Sequence, residues 1–535
     1  MALKFAVYPS PMRGILHKQS CNRLHLFRTH PFNQMWTAKL TLSAGLLCLL
    51  GAAQAEVRLT PVITDHAVFQ RDVPIHLWGD ASPGEKITIS FHGQTMTTSA
   101  TTVGLWDAWL KPEPAGGPFA LTIHGSSDLT RSDLLVGDVW FASGQSNMEM
   151  PLGGFPNSAV VTNAEQEIAQ ANLPQVRLLR MEHQSSPSPL NNIAATWQLC
   201  TPATARDFSA VAFFFAREIA QREHVPIGVI DSSWGGTPID SWISLDALSA
   251  DASLMPAFAA RARFADQQSH LGLVESAEKH AEEDAKARHV PPPSHPWHPD
   301  PYSWIPAGLY NGMVAPFTPY AIKGFLWYQG ETDSDPGRAP LYARILPALV
   351  ADWRAQWGLG NLPFLFVQIS SFGDKPPSNW GLIRDSERRT LAVANTGMAV
   401  SLDVGQRDNV HPPDKQTVGA RLALAGRALA YGETGLEFTG PLYRQVTRQG
   451  TDLEIWFDHA EGLNSKGDEV KGFEVAGPDG RFVAAAAKVQ GATVLLSSPE
   501  VSEPQQVRYA WQNFTDANLY NGASLPASTF LAKVP

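Results

Sequence analysis

Three short segments of this 535-residue chain combine glycines with polar side chains, and a fourth places an aspartate three residues before a histidine. They lie at residues 142–148, 232–237, 327–333 and 408–412. Ser146 in the first segment supplies a hydroxyl, and His411 in the last supplies an imidazole that could accept its proton. A serine activated by a neighbouring base attacks carbonyl carbon, so these residue types suggest acyl-transfer chemistry. Each segment alone is equally consistent with an ordinary polar turn.

Ser146 follows an apolar segment, residues 138–142, that has the pattern of a buried strand. Open parallel sheets bind their ligands at the carboxyl ends of strands. A serine hydroxyl can project there while neighbouring backbone N–H groups face a developing oxyanion. The sequence around Ser146 lacks the Gly-x-Ser-x-Gly pattern of a nucleophile elbow, which argues against the α/β-hydrolase fold.

Asp408 and His411 have a spacing that suits an oriented base. A carboxylate three residues before a histidine can fold back onto imidazole Nδ1 and leave Nε2 free to accept a proton. Pro412 and Pro413 favour an extended loop and prevent a helix from starting at His411. The spacing therefore predicts a general base held by its own loop.

Two more glycine-containing segments follow predicted strands. Gly235 and Gly236 allow a backbone N–H to approach a ligand closely. Gln329 offers a side-chain amide as a hydrogen-bond donor. Because the carboxyl ends of parallel strands meet at one edge of a sheet, the four segments are expected to converge there.

The middle of the chain, residues 134–437, alternates near-continuous apolar segments with helix-length stretches, which predicts a parallel sheet covered on both faces. The expected strands lie at residues 138–142, 227–231, 322–327, 364–369 and 398–403. Residues 56–133 and 438–535 alternate β-branched and polar residues between turns, which is typical of a sandwich or barrel. These two β segments are expected to flank the core, either separately or packed into one accessory unit.

Residues 246–300 form a distinct segment within the central part. An alanine-rich charged pattern from Glu275 to Arg288 predicts a solvated helix, and the prolines at 291–293 predict an extended linker after it. We interpret the segment as a surface insertion, with a lid over the functional site as the alternative.

The charge balance and the amino terminus limit the class of protein. Acidic residues outnumber basic ones, 51 to 41, whereas a nucleic-acid binder needs a basic surplus.

An apolar run from Leu40 to Leu50 follows Lys39 and leads to small residues up to Ala55, as in a cleavable signal peptide. The run is too short for a membrane span. Residues 1–55 are therefore expected to be an upstream extension plus signal peptide, and the protein to be periplasmic or secreted by a bacterium.

Cysteine usage excludes an intramolecular disulfide in the mature chain. Only Cys200 of the three cysteines lies after residue 55, and we expect it to be a buried apolar residue. No metal site or cofactor is predicted, and the sequence does not indicate the oligomeric state.

The order of the polar segments resembles that of a known enzyme family. The chain contains Ser-Gly-Gln-Ser-Asn-Met, Ser-Ser-Trp-Gly-Gly-Thr-Pro, Leu-Tyr-Asn-Gly-Met, Trp-Tyr-Gln-Gly-Glu and Asp-x-x-His-Pro in that order. The set is similar to that of the sialate O-acetylesterase-type carbohydrate esterases of the SGNH (GDSL-like) hydrolase superfamily. Residues 68–71 and 78–79 resemble the amino-terminal β region of the family, and residues 507–511 with 518–521 resemble its tail. The resemblance implies a three-layer α/β SGNH core with a mostly parallel sheet, flanked by jelly-roll-like β-sandwich segments.

The resemblance also implies the roles of individual residues. It makes Ser146 the nucleophile, His411 the general base and Asp408 the residue that orients the base. It places the backbone N–H groups of Ser146 and Gly236 and the side-chain amide of Gln329 in an oxyanion hole. If Gln329 donates there, Gln329→Ala is expected to lower kcat by about 10²–10³-fold.

The third segment departs from the family pattern at Asp333, where relatives often have asparagine. An ionised carboxylate cannot donate to an oxyanion, so Asp333 and Glu331 are expected to hold the loop or to touch a sugar hydroxyl. Further candidate substrate contacts are the aromatic residues Trp234, Trp304 and Tyr328 and the cation Arg384.

The resulting hypothesis is a serine esterase that removes O-acetyl groups from carbohydrates through an acyl-enzyme and releases acetate, without a metal. The expected partner is an acetylated oligo- or polysaccharide, either plant hemicellulose such as xyloglucan or xylan, or O-acetylated sialic acid. Two alternatives are a non-catalytic carbohydrate-binding protein and a glycosidase that uses two of the many carboxylates.

Overall fold

The computed structural model describes residues 56–156, 160–267, 271–293, 298–373 and 378–535. The predicted upstream extension and signal peptide, residues 1–55, lie outside these ranges. Of the helices within them, none combines the length and the apolar composition needed to cross a membrane.

The amino-terminal β segment consists of short strands followed by one long strand. The short strands are β1 (Arg58–Leu59), β2 (Val68–Gln70), β3 (Ile75–Asp80), β4 (Lys86–Phe91), β5 (Gln94–Ser99), β6 (Leu105–Leu110) and β7 (Gly116–His124). The long strand β8 (Asp128–Gly144) pairs with β7 and β2 near its start and with two strands of the central sheet near its end. The boundary expected between residues 133 and 134 thus falls inside one continuous strand.

The central part alternates strands and helices. In chain order these are α1 (Ser146–Glu149), α2 (Ala164–Ala169), β9 (Leu173–Arg180), β10 (Trp197–Cys200), α3 (Pro202–Arg206), α4 (Ala210–Glu223), β11 (Ile227–Ser233), α5 (Leu245–Ala250), α6 (Pro256–Gln267), α7 (Leu271–Ala287), β12 (Gly324–Tyr328), α8 (Ala339–Trp357), β13 (Phe364–Gln368), α9 (Trp380–Thr390), β14 (Thr396–Val400) and α10 (Lys415–Leu429). All five expected strands are present, as β8, β11, β12, β13 and β14.

The central strands form one sheet in the order β10-β9-β11-β8-β12-β13-β14. Every neighbouring pair in this order is parallel except β10 with β9. The chain crosses from one side of β8 to the other between β11 and β12, which leaves a crevice at the carboxyl end of β8. Ligands of open α/β sheets bind in such crevices, and Ser146 follows this strand.

Adjacent residues of β8 pack against opposite helix layers. The ring of Trp140 contacts Phe215 of α4, with the ring centroids 4.8 Å apart. The ring of Phe141 contacts Trp353 of α8, with the centroids 5.5 Å apart. Helix α10 packs beside α4 and α9 beside α8, so the sheet lies between two helical layers. Helices cover both faces of the sheet, and this explains why the central strands consist almost entirely of apolar residues.

The carboxyl-terminal β segment forms antiparallel sheets of its own. Its strands are β15 (Leu442–Gln449), β16 (Asp452–Asp458), β17 (Asn464–Ser465), β18 (Phe473–Ala476), β19 (Phe482–Ala484), β20 (Ala486–Gln490), β21 (Thr493–Ser497), β22 (Gln506–Tyr509), β23 (Leu519–Tyr520) and β24 (Phe530–Lys533). Strand β24 contacts α9. Among the strands that the structure describes, none of this segment pairs with a strand of residues 56–133.

The segment at 246–300 contains the predicted helix as part of α7. Helix α6 brings Phe264 onto the indole ring of Trp304, with the ring centroids 3.9 Å apart. Cys200 is free and buried as expected, and burial raises the pKa of its thiol to about 12.

Candidate active site

Ser146 starts the one-turn helix α1 directly after β8, and its side chain is partly exposed. The turn depends on Gly144, which has a φ of +137°. A Cβ atom at Gly144 would lie 2.1 Å from the carbonyl oxygen of Tyr328, so a side chain there would collide with the backbone at the end of β12. The backbone N–H of Gln145 donates to the same oxygen at 3.0 Å. The ends of β8 and β12 therefore hold the turn that presents Ser146.

The glycine-rich segment after β11 lies beside this turn. The backbone N–H of Trp234 donates to the carbonyl oxygen of Gly144 at 3.1 Å. A Cβ atom added at Gly235 would lie 3.1 Å from Cβ of Ser146, so any larger residue at position 235 would crowd the serine side chain. The sequence prediction that these two segments converge is consistent with this contact.

Two backbone N–H groups at this point are free to bind an anion. Ser146 is the first residue of a helix, where backbone N–H groups have no partner within the helix. Gly236 has a φ of +71°, and its carbonyl oxygen accepts a hydrogen bond from the Trp304 indole at 2.8 Å. Neither the N–H of Ser146 nor that of Gly236 has an acceptor among the described residues. Both remain candidates for an oxyanion hole.

Gln329 does not fit the role that the family resemblance implied for it. Its side-chain amide is completely buried, and its Nε2 donates to the carbonyl oxygen of Thr237 at 3.1 Å and to Oδ2 of Asp333 at 2.6 Å. Its Oε1 accepts from the hydroxyl of Tyr342 at 3.0 Å. Both amide hydrogens are thus used within the protein, so Gln329 anchors the loop at Thr237 instead of facing a substrate.

Asp333 holds the same loop, which is one of the two roles expected for it. Its carboxylate accepts from the backbone N–H of Ile239 at 2.9 Å and from Nε of Arg338 at 2.9 Å. Arg338 also pairs with the buried Asp240, whose pKa is raised mainly by burial. This buried ion network fixes the segment that carries Gly235 and Gly236.

His411 is partly buried and stands next to the ring of Phe155, with the ring centroids 5.2 Å apart. Desolvation lowers the pKa of its imidazole to about 4, and the nearby ammonium group of Lys415 acts in the same direction. The carboxylate of Glu149 acts in the opposite direction with a smaller effect. The ring is therefore neutral near pH 7, which is the form that can accept a proton.

The predicted contact between Asp408 and His411 is not present in the structure. Asp408 is exposed, and among the described residues no hydrogen bond or ion pair joins its carboxylate to the imidazole. Asn409 folds back in its place, since its Oδ1 accepts from the backbone N–H of His411 at 2.9 Å. This short turn shapes the loop without engaging the ring.

The segments that carry Ser146 and His411 are joined by the residues next to these two, and among the described residues no hydrogen bond links the two side chains themselves. Nδ2 of Asn147 donates to the carbonyl oxygen of Val410 at 3.0 Å. Asn147 follows the serine and Val410 precedes the histidine, so one hydrogen bond joins the two segments although they lie 265 positions apart in the chain.

Two site residues were not identified from the sequence, Glu149 and His183. Oε2 of Glu149 accepts from the backbone N–H of Gly235 at 2.6 Å, and its Oε1 lies 2.8 Å from Nε2 of His183. The His183 ring stacks on Trp234, with the centroids 4.4 Å apart. The sequence contained one signal for Glu149: it lies three residues after Ser146, which places both side chains on the same face of a helix. His183 follows β9, a strand that the sequence reading did not assign.

The Leu-Tyr-Asn-Gly-Met segment positions the loop that follows His183. It forms a short π-helical turn at Tyr310–Val314. Nδ2 of Asn311 donates to the carbonyl oxygen of Ser186 at 3.0 Å. A Cβ atom at Gly312 would lie 2.1 Å from the carbonyl oxygen of Gln184, so the two segments are in close backbone contact.

The candidate substrate contacts divide into two groups. Trp234 and Trp304 are partly exposed beside the glycine-rich segment. Tyr328 and Glu331 are buried, and Glu331 bonds to Asn147. Arg384 is completely buried beneath the carboxyl-terminal segment, where its guanidinium donates to backbone carbonyl oxygens and burial lowers its pKa to about 9. Tyr328 and Arg384 cannot reach a sugar, which corrects the expectation for them, whereas Glu331 holds its loop through Asn147, which is one of the two roles expected for it.

A cavity of about 570 Å³ adjoins His183 at the carboxyl end of β9. Its polar lining includes Arg180, His183, Gln198, Thr204 and Asp207. Neither Ser146 nor His411 lines this cavity. Within the described part of the chain, no group of three or more metal-ligating side chains is placed to hold a metal ion.

A serine, a neutral histidine and two free backbone N–H groups at the carboxyl edge of a parallel sheet form the kind of arrangement that serine hydrolases use. Residues 136–427 match a family model described as carbohydrate esterase, sialic acid-specific acetylesterase. The chain belongs to this family and is a carboxylic-ester hydrolase.

Similar proteins cover most of the chain. It is 29% identical over 527 residues to the sialate O-acetylesterase of Mus musculus, covering 89% of this chain and 94% of that protein. It is 30% identical to the sialate O-acetylesterase of Homo sapiens, covering 73% and 74%. The crystal structure of a carbohydrate acetylesterase from Xanthomonas citri superposes with a TM-score of 0.77 at 35% identity, covering 89% of this chain and 99% of that one.

Proposed function

We propose that this protein is a serine esterase that removes O-acetyl groups from carbohydrates, with Ser146 as nucleophile and His411 as general base. The observation that carries the proposal is the hydrogen bond from Asn147 to Val410, which joins the segments of these two residues. The free N–H groups of Ser146 and Gly236 lie on the same side of the sheet and supply an oxyanion hole.

The chemistry follows from these positions. His411 accepts the hydroxyl proton of Ser146 while the serine oxygen attacks the acetyl carbonyl, and the two N–H groups hold the tetrahedral oxyanion. The protonated imidazole then donates its proton to the departing sugar oxygen, which leaves an acetyl-enzyme. Water, activated by the same imidazole, releases acetate and restores the serine.

The carbohydrate itself is proposed from the relatives. The relatives are named for sialate and for carbohydrate acetyl esters. O-acetylated sialic acid and acetylated xyloglucan or xylan are therefore the substrate classes to compare, by measuring acetate released from each at equal acetyl concentration.

Export through a signal peptide that ends near Ala55 is also proposed, on the apolar run before that residue. Mass spectrometry of the amino terminus of the protein recovered from the periplasm or culture medium tests this. A mature chain that still contains residues before 55 would contradict it.

The proposal is tested by replacing the two reactive groups. Ser146→Ala and His411→Ala are each expected to lower kcat for acetate release from p-nitrophenyl acetate and from an acetylated oligosaccharide by about 10³-fold or more. Ser249→Ala and His280→Ala, at exposed positions of α5 and α7, serve as matched controls and should retain activity. Folded variants that keep activity would refute the assignment, and release of free sugar without acetate would favour a glycosidase.

A further inference from the structure

A buried lysine, Lys415, contacts the residue next to the proposed nucleophile and takes no part in the proposed proton transfers. Lys415 is the first residue of α10, and its side chain is completely buried. Its ammonium group donates a hydrogen bond to Oδ1 of Asn147 and lies 5.5 Å from the ring centroid of Tyr328. A lysine at the start of a helix normally extends into solvent, so this orientation calls for an explanation.

The amide of Asn147 is the junction of this arrangement. Its oxygen accepts from Lys415, and its nitrogen donates to Oε1 of Glu331 and to the carbonyl oxygen of Val410. The carbonyl of an amide can only accept and its NH₂ can only donate, so the positive charge on one side and the negative charge on the other set its orientation. Three polar sequence segments and α10 therefore meet at one side chain.

The burial of these two charges is costly for the fold. Desolvation lowers the pKa of Lys415 to about 7 and raises the pKa of Glu331, and each charge partly offsets the effect of burial on the other. Buried ion pairs often stabilise a protein no more than apolar side chains of similar size. Stability by itself is thus a weak reason for a lysine here.

We propose that Lys415 is a positioning residue for the esterase reaction. It orients the Asn147 amide that joins the turn of Ser146 to the loop of His411, and its positive charge adds to the burial that keeps the His411 ring in the neutral, proton-accepting form. This inference rests on the proposed roles of Ser146 and His411.

The charged groups around His411 explain how Lys415 affects the charge state of the ring. Lys415 of α10 disfavours a positive charge on the ring and Glu149 of α1 favours it, and both have less effect than burial. The ring of Phe155 covers one side and carries no charge. Asp408 on the same loop is exposed and makes no ion pair with the ring. Without the ammonium group the pKa of His411 rises, while the larger, lowering effect of burial remains.

The test is the pH dependence of kcat/KM for p-nitrophenyl acetate in Lys415→Met and Lys415→Arg. The methionine removes the charge at similar volume, so the acidic limb of the profile should move up, but it should stay below the ordinary histidine value of about 6.5 because the ring is still buried. kcat at the optimum should fall about tenfold or more with KM changed less than about twofold. The arginine keeps the charge, so its acidic limb should stay at the wild-type position even if kcat falls.

Arg427→Met provides the matched control, because Arg427 lies on the same helix and pairs with Glu433 away from the site. Its profile should coincide with that of the wild type. An acidic limb that does not move in Lys415→Met, with His411→Ala inactive, would overturn this inference and leave the proposed function intact. Activity in His411→Ala would instead overturn the proposed function.

If Lys415→Met does not fold, Asn147→Ala tests the same connection while the lysine is kept. The loss of the hydrogen bond to Val410 should lower kcat about tenfold or more without raising KM. A folded Asn147→Ala protein with wild-type kcat would refute the positioning role.

Discussion

The role proposed for Ser146 depends on which neighbouring hydrogen-bond donors are already in use. The side-chain amide of Gln329 donates both of its hydrogens, to the carbonyl oxygen of Thr237 and to the carboxylate of Asp333. The backbone N–H of Gly235 is also used, since it donates to Glu149. The N–H groups of Ser146 and Gly236 remain, and rigid backbone donors need little reorganisation when an oxyanion forms.

The state of His411 gives a prediction for the pH dependence. The pKa of its imidazole is lowered to about 4, so the ring remains neutral down to that pH. We expect kcat/KM to stay level as the pH falls from 7 to 5 and to decline as the pH passes through about 4. The measurement is initial-rate acetate release at constant ionic strength, with circular dichroism at each pH to confirm that the protein is folded. An acidic limb near 6.5 would show that the imidazole is not desolvated in this way.

The ends of the strands position the site. β8, β11 and β12 run side by side and parallel, so the turns after them lie together. The Ser146 turn is held most closely at Gly144, where the backbone of β12 leaves no room for a Cβ atom. The hydrogen bond from Trp234 to Gly144 then joins the turn after β11 to the same point.

Gly144→Ala tests how strictly this close approach is required. The added methyl would meet the Tyr328 carbonyl, and the backbone conformation is itself unfavourable for alanine, so we expect a loss of about 3 kcal/mol or more in the free energy of unfolding. Gly358→Ala is the control, because Gly358 also has a positive φ but no atom within 4 Å of its Cβ position. Its cost should be about 1 kcal/mol. Urea unfolding of both variants measures the difference, and equal costs would contradict the steric argument.

Across the whole molecule, the α/β part and the β segments share buried surfaces. β8 belongs to both the amino-terminal β segment and the central sheet. Arg384 of α9 is buried because carbonyl oxygens of Gln512 and Asn513 cover its guanidinium. Gln368 at the end of β13 bonds to the hydroxyl of Ser528 at 2.8 Å. The central part thus depends on the carboxyl-terminal segment to satisfy its buried polar groups.

This dependence predicts that residues 56–437 do not fold without the rest of the chain. The truncation removes the acceptors of a buried guanidinium, and an unpaired buried charge is strongly destabilising. Calorimetry should show one cooperative transition for residues 56–535 and none for the truncated chain. An active truncated protein with its own transition would instead support a separate catalytic domain.

Local patterns in the sequence were sufficient for much of this architecture. Strands buried on both faces need continuous apolar residues, so β11, β12, β13 and β14 could be recognised from composition and spacing. Ser146 could be selected because ligand sites follow the carboxyl ends of such strands. Cys200 and the helix within 246–300 were likewise predicted correctly.

The amino-acid sequence by itself thus determined the alternation of strands and helices, and with it the edge of the sheet at which Ser146 and His411 lie. The tertiary structure alone decided which polar groups are paired: Gln329 with Thr237, Asn409 in place of Asp408 at the His411 loop, and Lys415 with Asn147. The physical reason is the separation along the chain of the residues that determine each feature. Strand and helix patterns arise from neighbours along the chain, whereas the partner of a buried hydrogen-bonding group is set by packing between segments hundreds of residues apart.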